Sequence, residues 1–331
     1  MKILKKFFAL SLFIFLPAFL MAKDAVFYGE NFNIKLCYND SAFPGDAVFV
    51  RMKLSQNSKA KKSQGGDFSK TQAKLQLFVN EKLTDSSNFY LLPDSSSKNT
   101  ITFLTGIPLS SWWTENENFY LVVNFNFRGE KNYEFKLPFS LLHKDFVNET
   151  IPLNEENTQI KTDASPERMN QIKSLNEILG TINTENIFST KAFVSPTTAT
   201  RRTSFFADRR IYEYTNGKSS TSLHYGIDYG IPTGTSVNAC ADGKIVMAEN
   251  RISTGWSVVI EHLPGLYSLY YHLDSLNVEK GQMVKQGELI GLSGATGLAT
   301  GPHLHWEVRL NMSAVSPDFF TSDFTFSNQL D

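Results

Sequence analysis

Residues 301–308 read GPHLHWEV and set His303 and His305 two apart, between a Gly-Pro and an apolar run. In a strand, residues two apart point to the same face. Both imidazoles then lie on one surface with Glu307, while Leu304, Trp306 and Val308 point the other way. Two imidazoles on one strand face are a common metal-binding or catalytic device. They also occur as hydrogen-bonded core residues, and the pair alone does not choose between these readings. The chain has six histidines, and five lie beyond residue 190: His224, His262, His272, His303 and His305.

The stretch LHYGIDYG adds His224 and Asp228. Four residues of regular strand would separate them by ~13 Å, whereas two ligands of one zinc each put a donor atom ~2 Å from the ion. Gly226 and Gly230, among β-branched and aromatic neighbours, argue against a helix. If the two side chains act together, the chain bends or bulges near Gly226. A His, Asp, His set would leave zinc a fourth position for water, as catalytic sites require. No cysteine lies near these residues, which disfavours a closed Cys-rich site. No His-Glu-x-x-His helix is present. Proton handling then falls to His272, in LYYHLD, and to one of the 303/305 pair.

Two other features read as structural. His262 follows Val258 and Ile260 in period two, just before a Leu-Pro-Gly turn, and is expected to be a hydrogen-bonding residue of the core. The glycine-rich run 291–301 lacks the Gly-Lys-Ser/Thr ending of a phosphate loop and reads as tight turns.

The elements that must position these residues are mostly strands. From 24 to 145 the pattern is period two: Val48, Val50, Met52 and Leu54; Ala73, Leu75, Leu77 and Val79; Phe119 to Phe127, ending at Arg128-Gly129. Polar, turn-rich breaks such as 57–70 separate the runs, which predicts an Ig-like β-sandwich. Trp112-Trp113 could serve as a ligand platform but reads rather as packing beside its core, and His143 as a surface residue. Residues 146–192 read as a linker with one helix. Ser165-Pro166-Glu167 caps and opens it, and Met169, Ile172, Leu175, Leu179 and Ile182 share a face. From 193 to 320, short β-like runs between glycines predict a second, compact β domain. The fold class is therefore all-β with two domains, as 331 residues would suggest.

The N-terminus has the layout of an export signal over residues 1–22: Lys2, Lys5 and Lys6, an apolar run from Phe7, and Ala22 at a suitable cleavage position. An uncleaved signal that anchors the chain in the membrane is the alternative. No cysteine near its end suggests a lipoprotein, and nothing after Ala22 is long and apolar enough to span a bilayer. Net charge is −1, and loss of residues 1–22 would make it −4. This balance gives no support to a nucleic-acid partner. Cys37 and Cys240 could pair in an oxidising compartment, but two buried thiols are the simpler expectation.

Taken together, His224-x-x-x-Asp228, Tyr270-x-His272-Leu273 and Gly301-Pro302-His303-Leu304-His305 resemble, in order and spacing, the motifs of lysostaphin-type (LytM-like) zinc metallopeptidases. Gly226-x-Asp228 with Pro232-x-Gly234, Ala241-x-Gly243, Gly281-x-x-Val284 and Gly294-x-Thr296-Gly297 agree as well, and the likeness covers 193–320. The resemblance implies one zinc held by His224, Asp228 and His305. It implies that His272 and His303 face the metal as catalytic imidazoles, and that peptide bonds in peptidoglycan cross-links or stem peptides are cut. Ala207 is a departure: relatives often have a glycine there, in a turn that enters the domain. Non-catalytic scaffolds or activators of other cell-wall hydrolases are the alternative function, though such members have usually lost ligands that this chain retains. The hairpin 281–294 also resembles biotinyl and lipoyl carriers but lacks their lysine motif. Expected partners are peptidoglycan peptides, with a protein or glycan partner open for the N-terminal domain. The expected location is the periplasm or cell envelope. The segment 146–200, just before the site, is expected to pack over the groove and limit access.

Overall fold

In the computed structural model, residues 22–29, 32–56, 71–93, 100–127, 131–322 and 324–326 are described. Residues 1–21 of the export-signal segment 1–22, the break at 57–70 and the Arg128-Gly129 turn lie outside them. Among the described residues no helix is long and apolar enough to cross a membrane.

The alternating runs build two antiparallel sheets around one core. The first contains β1 (Ala22–Tyr28), β2 (Phe32–Asn39), β4 (Ala47–Gln56), β8 (Thr100–Pro108) and β7 (Tyr90–Leu91), in that spatial order. The second contains β10 (Lys131–Pro138), β9 (Phe119–Phe127), β5 (Gln72–Val79) and β6 (Lys82–Asn88). Short β3 (Ser41–Ala42) and β11 (Ser140–Leu141) pair in parallel. Val48, Val50, Met52 and Leu54 point into this core with Leu75, Leu77, Leu121 and Val123, as their period-two spacing requires.

The opposite face of β4 is covered at its start. Ala47 and Phe49 are buried as well. The Phe49 ring lies 5.1–6.4 Å from the rings of Phe319, Phe320, Phe324 and Phe326. These residues join Phe193, Phe206 and Trp306 in one cluster, so the outer face of the sandwich belongs to the core of the C-terminal half. Gly45 makes the approach possible: its φ is +86°, and a Cβ there would lie 2.5 Å from Phe206 Cε1.

That C-terminal half is a ten-stranded assembly. Its main path runs β13 (Arg202–Ser204), β16 (Gly226–Tyr229), β23 (Leu304–Leu310), β20 (Leu266–Leu276), β19 (Gly255–Leu263), β18 (Gly243–Arg251) and β21 (Met283–Val284). Beside it lie β17 (Ser236–Asn238), β22 (Leu289–Ser293) and β24 (Ser313–Val315), and α3 (Pro317–Thr321) follows. Strand β12 (Asn148–Pro152) pairs with β14 (Arg209–Glu213), which pairs with β15 (Ser219–Leu223), in a separate small sheet.

Residues 146–192 differ from the expected linker with one helix. They hold strand β12 and two helices, α1 (Glu155–Thr162) and α2 (Pro166–Leu179). Helix α1 is almost wholly polar, so no apolar period announces it; its start is set by Asn154, whose Oδ1 accepts from the Asn157 N–H at 2.8 Å. Helix α2 begins at the Ser165 cap as expected. Its packed face is narrower than predicted. Leu175, Ile178 and Leu179 meet Met247, Tyr267 and Leu269, whereas Met169 and Ile182 are about half exposed. The cause is that its first turns cross the 251–253 loop through polar contacts, Arg168 Nε to Ser253 Oγ (3.0 Å) and the Ile252 N–H to Gln171 Oε1 (2.9 Å).

Cys37 and Cys240 are both buried, and no disulfide joins them. Trp113 packs on Phe119, while Trp112 is exposed. His143 is a surface residue between Glu115 and Asp145.

His262 is a core residue, as its pattern suggested. It is fully buried, with Nδ1 2.8 Å from the Asp242 carbonyl and Nε2 2.7 Å from Ser268 Oγ. Burial pushes its pKa down to about 4. The unfolded ring, near ~6.5, therefore binds a proton at pH values where the folded ring does not. Stability from this group is complete above the unfolded value and is lost as pH falls from there toward 4. The loss is expected to be on the order of 3 kcal/mol. Urea unfolding at several pH values should show this slope in the wild type and a shallower one in His262→Asn. Equal slopes would reject the assignment.

Candidate functional site

The His224 backbone is clamped on both sides. Its carbonyl accepts from the Ala207 N–H (2.7 Å), and its N–H donates to the Asp208 carbonyl (2.9 Å), extending the β14–β15 ladder by one rung. Ala207 sits at φ +64°, so the turn that enters the domain is left-handed and is made here with alanine. The chain then turns at Tyr225 and enters β16 at Gly226. A Cβ on Gly226 would lie 2.2 Å from the Trp306 carbonyl oxygen, so only glycine lets β16 start against β23. This is the predicted bend. It brings His224 Nε2 to 3.0 Å from Asp228 Oδ1, although the two are four residues apart.

Strand β16 pairs with β23 so that Asp228 stands opposite His305. Leu304, Trp306 and Val308 are fully buried in the core on the other face of β23, as the alternation predicted. His303 lies one residue before the strand, in a bridge with Gly294, on the same face as His305.

His272 arrives by a device the sequence pattern did not reveal. On β20, Tyr271 and His272 together oppose Ser257 of β19, which makes a β-bulge. His272 has φ +61° and its N–H donates to the Thr254 carbonyl at 2.8 Å. A left-handed backbone at a bulky residue is strained, and such strain is concentrated at functional sites. Here it brings the imidazole to 4.7 Å from the His303 ring, centroid to centroid.

The hydrogen-bond partners determine which nitrogens carry protons. His224 Nδ1 lies 2.8 Å from the Phe205 carbonyl, which can only accept, so Nδ1 is protonated and Nε2 offers a lone pair. His305 Nε2 donates to Glu307 Oε1 at 3.0 Å, leaving the Nδ1 lone pair free. These two nitrogens are 2.9 Å apart, and His305 Nδ1 is 2.7 Å from Asp228 Oδ1. With both rings neutral, three lone-pair atoms thus converge with no proton between them. Such a cluster needs a cation. Two imidazoles and a carboxylate are a donor set that suits a divalent metal, and the three residues form a group able to hold one.

The electrostatics agree. Burial alone would lower His305, but Asp228 and then Glu307 override it and lift the ring to about 9. The pocket is built for positive charge there, as a proton or as a metal ion. Burial would raise Asp228, yet His224 and His305 beside it hold the carboxyl well below its ordinary range. His272 and His303 are different. Burial, with the neighbouring imidazoles, takes His272 down to about 3, and burial lowers His303. Their Nδ1 atoms donate to the carbonyls of Thr296 (2.7 Å) and Gly301 (2.8 Å), so each presents a bare Nε2.

All five residues singled out in the sequence are therefore brought together. Two partners were not foreseen in these roles. Glu307 is the acceptor that orients His305, and it is held in turn by Arg309 at 2.7 Å; burial would raise it, but Arg309 and His305 bring it down to about 2. Its place on the His303/His305 face was visible in the alternation, but its contact was not. Arg210 donates to the second oxygen of Asp228 at 3.0 Å. It comes from β14, fourteen residues before His224, and no local spacing points to it. Glu307→Gln is expected to weaken metal binding by ~10–100-fold, because the His305 ring loses its anionic anchor. Competition with a chromophoric chelator would measure this, and unchanged affinity would remove Glu307 from the site.

These residues line an open groove of about 610 Å³. Glu149 and Ile151 of β12, Lys161 of α1 and Tyr212 form part of its wall. The Asn157 side chain donates to the Ala299 carbonyl at 3.1 Å, tying α1 to the glycine-rich loop. The segment expected to pack over the groove thus stands at its side.

Comparison with known proteins places this site. The DD-carboxypeptidase/endopeptidase Mpg of Neisseria meningitidis serogroup B is 46% identical over 95 residues, which are 29% of this chain and 22% of that protein. The peptidoglycan DD-endopeptidase ShyA of Vibrio cholerae serotype O1 is 43% identical over 108 residues, 33% of this chain and 24% of that protein. The chain spans less than a quarter of the length of these curated relatives. A solved structure from Pseudomonas aeruginosa, described as a peptidase M23, aligns over 85% of this chain and 95% of its own. Its TM-score is 0.51 at 21% identity, a likeness of fold alone. Residues 222–317, which contain His224, Asp228, His272, His303 and His305, match Peptidase family M23, so the chain carries a domain of that family.

Proposed function

We propose that the protein is a zinc-dependent endopeptidase that hydrolyses peptide bonds in the cross-links or stem peptides of peptidoglycan. One observation carries the chemistry: the lone pairs of His224 Nε2, Asp228 Oδ1 and His305 Nδ1 converge, with every other polar atom of those rings already committed. Three such donors leave zinc an open position. When bound, zinc supplies a water acidified toward neutrality and an electrophile for the scissile carbonyl. His224, Asp228 and His305 hold the ion. Arg210 fixes the carboxylate so that a single oxygen faces the two ligand nitrogens. His303 and His272 stay neutral, and their bare Nε2 atoms accept a proton from the attacking water and return it to the leaving amine. Once protonated, either ring can donate to the developing oxyanion. The relatives named for peptidoglycan endopeptidase activity support the substrate class. The signal-like N-terminus supports action in the periplasm or cell envelope.

Purified protein is expected to carry about one zinc per chain. It should release peptide-linked fragments from defined sacculi, identified by mass spectrometry, and lose that activity in a chelator. Undiminished release by metal-free protein would overturn the mechanism.

A further inference from the structure

A second cleft, of about 410 Å³, opens between the sandwich and the metallopeptidase domain. It shares Leu223, His224 and Tyr225 with the metal-site groove, so the two are continuous. Two exposed aromatic side chains stand in it: Trp112, 66% accessible, and Tyr225, 43% accessible. Each is backed by an arginine. The Arg209 guanidinium lies 3.9 Å from the Trp112 ring centroid, and that of Arg309 lies 4.6 Å from Tyr225.

We propose that this cleft is a subsite for the glycan strand of the substrate, with Trp112 as the platform on which a sugar ring stacks. The proposal rests on the reading of the protein as a peptidoglycan peptidase. A tryptophan exposed to this degree and held in place is what a stacking platform needs. Its turn is fixed at both ends. The Trp112 N–H donates to Ser110 Oγ at 3.2 Å, and Arg209 donates to the Ser111 carbonyl at 2.6 Å. Arg209 is itself sandwiched between Trp112 and Phe146. The platform is therefore ordered before any ligand arrives, which lowers the entropic cost of binding.

The charge pattern favours a sugar over the anionic end of a peptide. Arg309 is committed to Glu307 through contacts of 2.6 and 2.7 Å, and Arg209 to the carbonyls of Ser111 and Ala207. Neither is free to receive a carboxylate. The remaining charged lining group is Asp85, with the hydroxyls of Ser110 and Ser313 nearby. A carboxylate and hydroxyls beside an aromatic plane suit a neutral saccharide, which offers a C–H face and a rim of donors. A strand held there leaves its peptide to run past His224 into the groove.

The test uses the full chain and two probes: a neutral tetrasaccharide of N-acetylglucosamine, and a glycan-free cross-linked peptide dimer. By calorimetry the wild type should bind the tetrasaccharide, and Trp112→Ala should weaken that binding by ~10-fold. KM for intact sacculi should rise by a similar factor, with kcat and cleavage of the peptide dimer unchanged. Trp112→Phe should restore most of the binding, and matched melting curves would show that the variants fold. Trp112-dependent tetrasaccharide binding by a protein that cleaves neither probe nor sacculi would support the subsite while ending the peptidase reading. Cleavage of sacculi with no tetrasaccharide binding, or with binding indifferent to Trp112, would overturn the subsite.

Discussion

His305→Ala is expected to lose bound zinc and hydrolytic activity together. His305 Nδ1 is one of three lone-pair atoms in the cluster, and it is closer to Asp228 Oδ1 than any other nitrogen there, at 2.7 Å. Removing it leaves two donors, too few for the three-ligand site that a catalytic zinc requires. The loss of affinity should exceed the ~100-fold that removal of an outer partner costs. The substitution also leaves Glu307 without the ring that it anchors, so the melting temperature should be measured beside the metal content. Asp228→Asn is the companion variant. It retains the shape of the side chain and removes the charge that holds His305 positive. Both variants should be empty of zinc at stoichiometric supply. A His305→Ala protein that still cut sacculi without metal would refute the ligand assignment.

His303→Ala should separate the two halves of the site. Zinc content should stay near one per chain, while kcat falls by ~10²–10⁴-fold, the usual contribution of a positioned acid or base. His303 Nε2 stands 3.8 Å from Asp228 Oδ1, beyond the distances within the three-atom cluster, and its other nitrogen is occupied by Gly301. It therefore borders the metal position without completing it. His272→Ala should behave alike, since its Nδ1 is likewise committed to a carbonyl and its ring lies 4.7 Å from that of His303 and 6.1 Å from that of His305. If His303→Ala lost its zinc, His303 would be a ligand and the division of roles proposed above would fail. Comparison of the two single variants with the double variant would show whether the imidazoles act in one step or in two.

Much of this site could be read before the fold was known, and the reason is geometric. Strand alternation has a period of two, so His303, His305 and Glu307 on one face, and Leu304, Trp306 and Val308 on the other, follow from local covalent structure. The bend at Gly226 was also legible, because an extended chain cannot present His224 and Asp228 to one ion. The sandwich strands followed from the same period. Helix α1 was not legible, since a polar helix carries no apolar stripe and its start depends on one capping asparagine. The packed face of α2 was only half right. A period marks which residues could be buried, and the neighbour that covers only one end of the helix decides which of them are.

Long-range pairing lies outside what any local pattern encodes. Arg210 reaches Asp228 because β14 is laid beside β15, and Glu307 anchors His305 because their strand is sealed between β16 and β20. The bulge that turns His272 inward depends on Ser257 across the ladder. Phe49 reads as a solvent-side residue of a half-buried strand until α3 and its flanking phenylalanines cover it. The types and order of the clustered histidines and aspartate, and the face each takes on its own strand, were therefore local properties of the chain. Which partner fixes each ring, which nitrogen is left bare, and how the sandwich is welded to the metallopeptidase domain arise only when distant segments pack. Those outcomes depend on contacts whose cost and gain no short stretch of sequence contains.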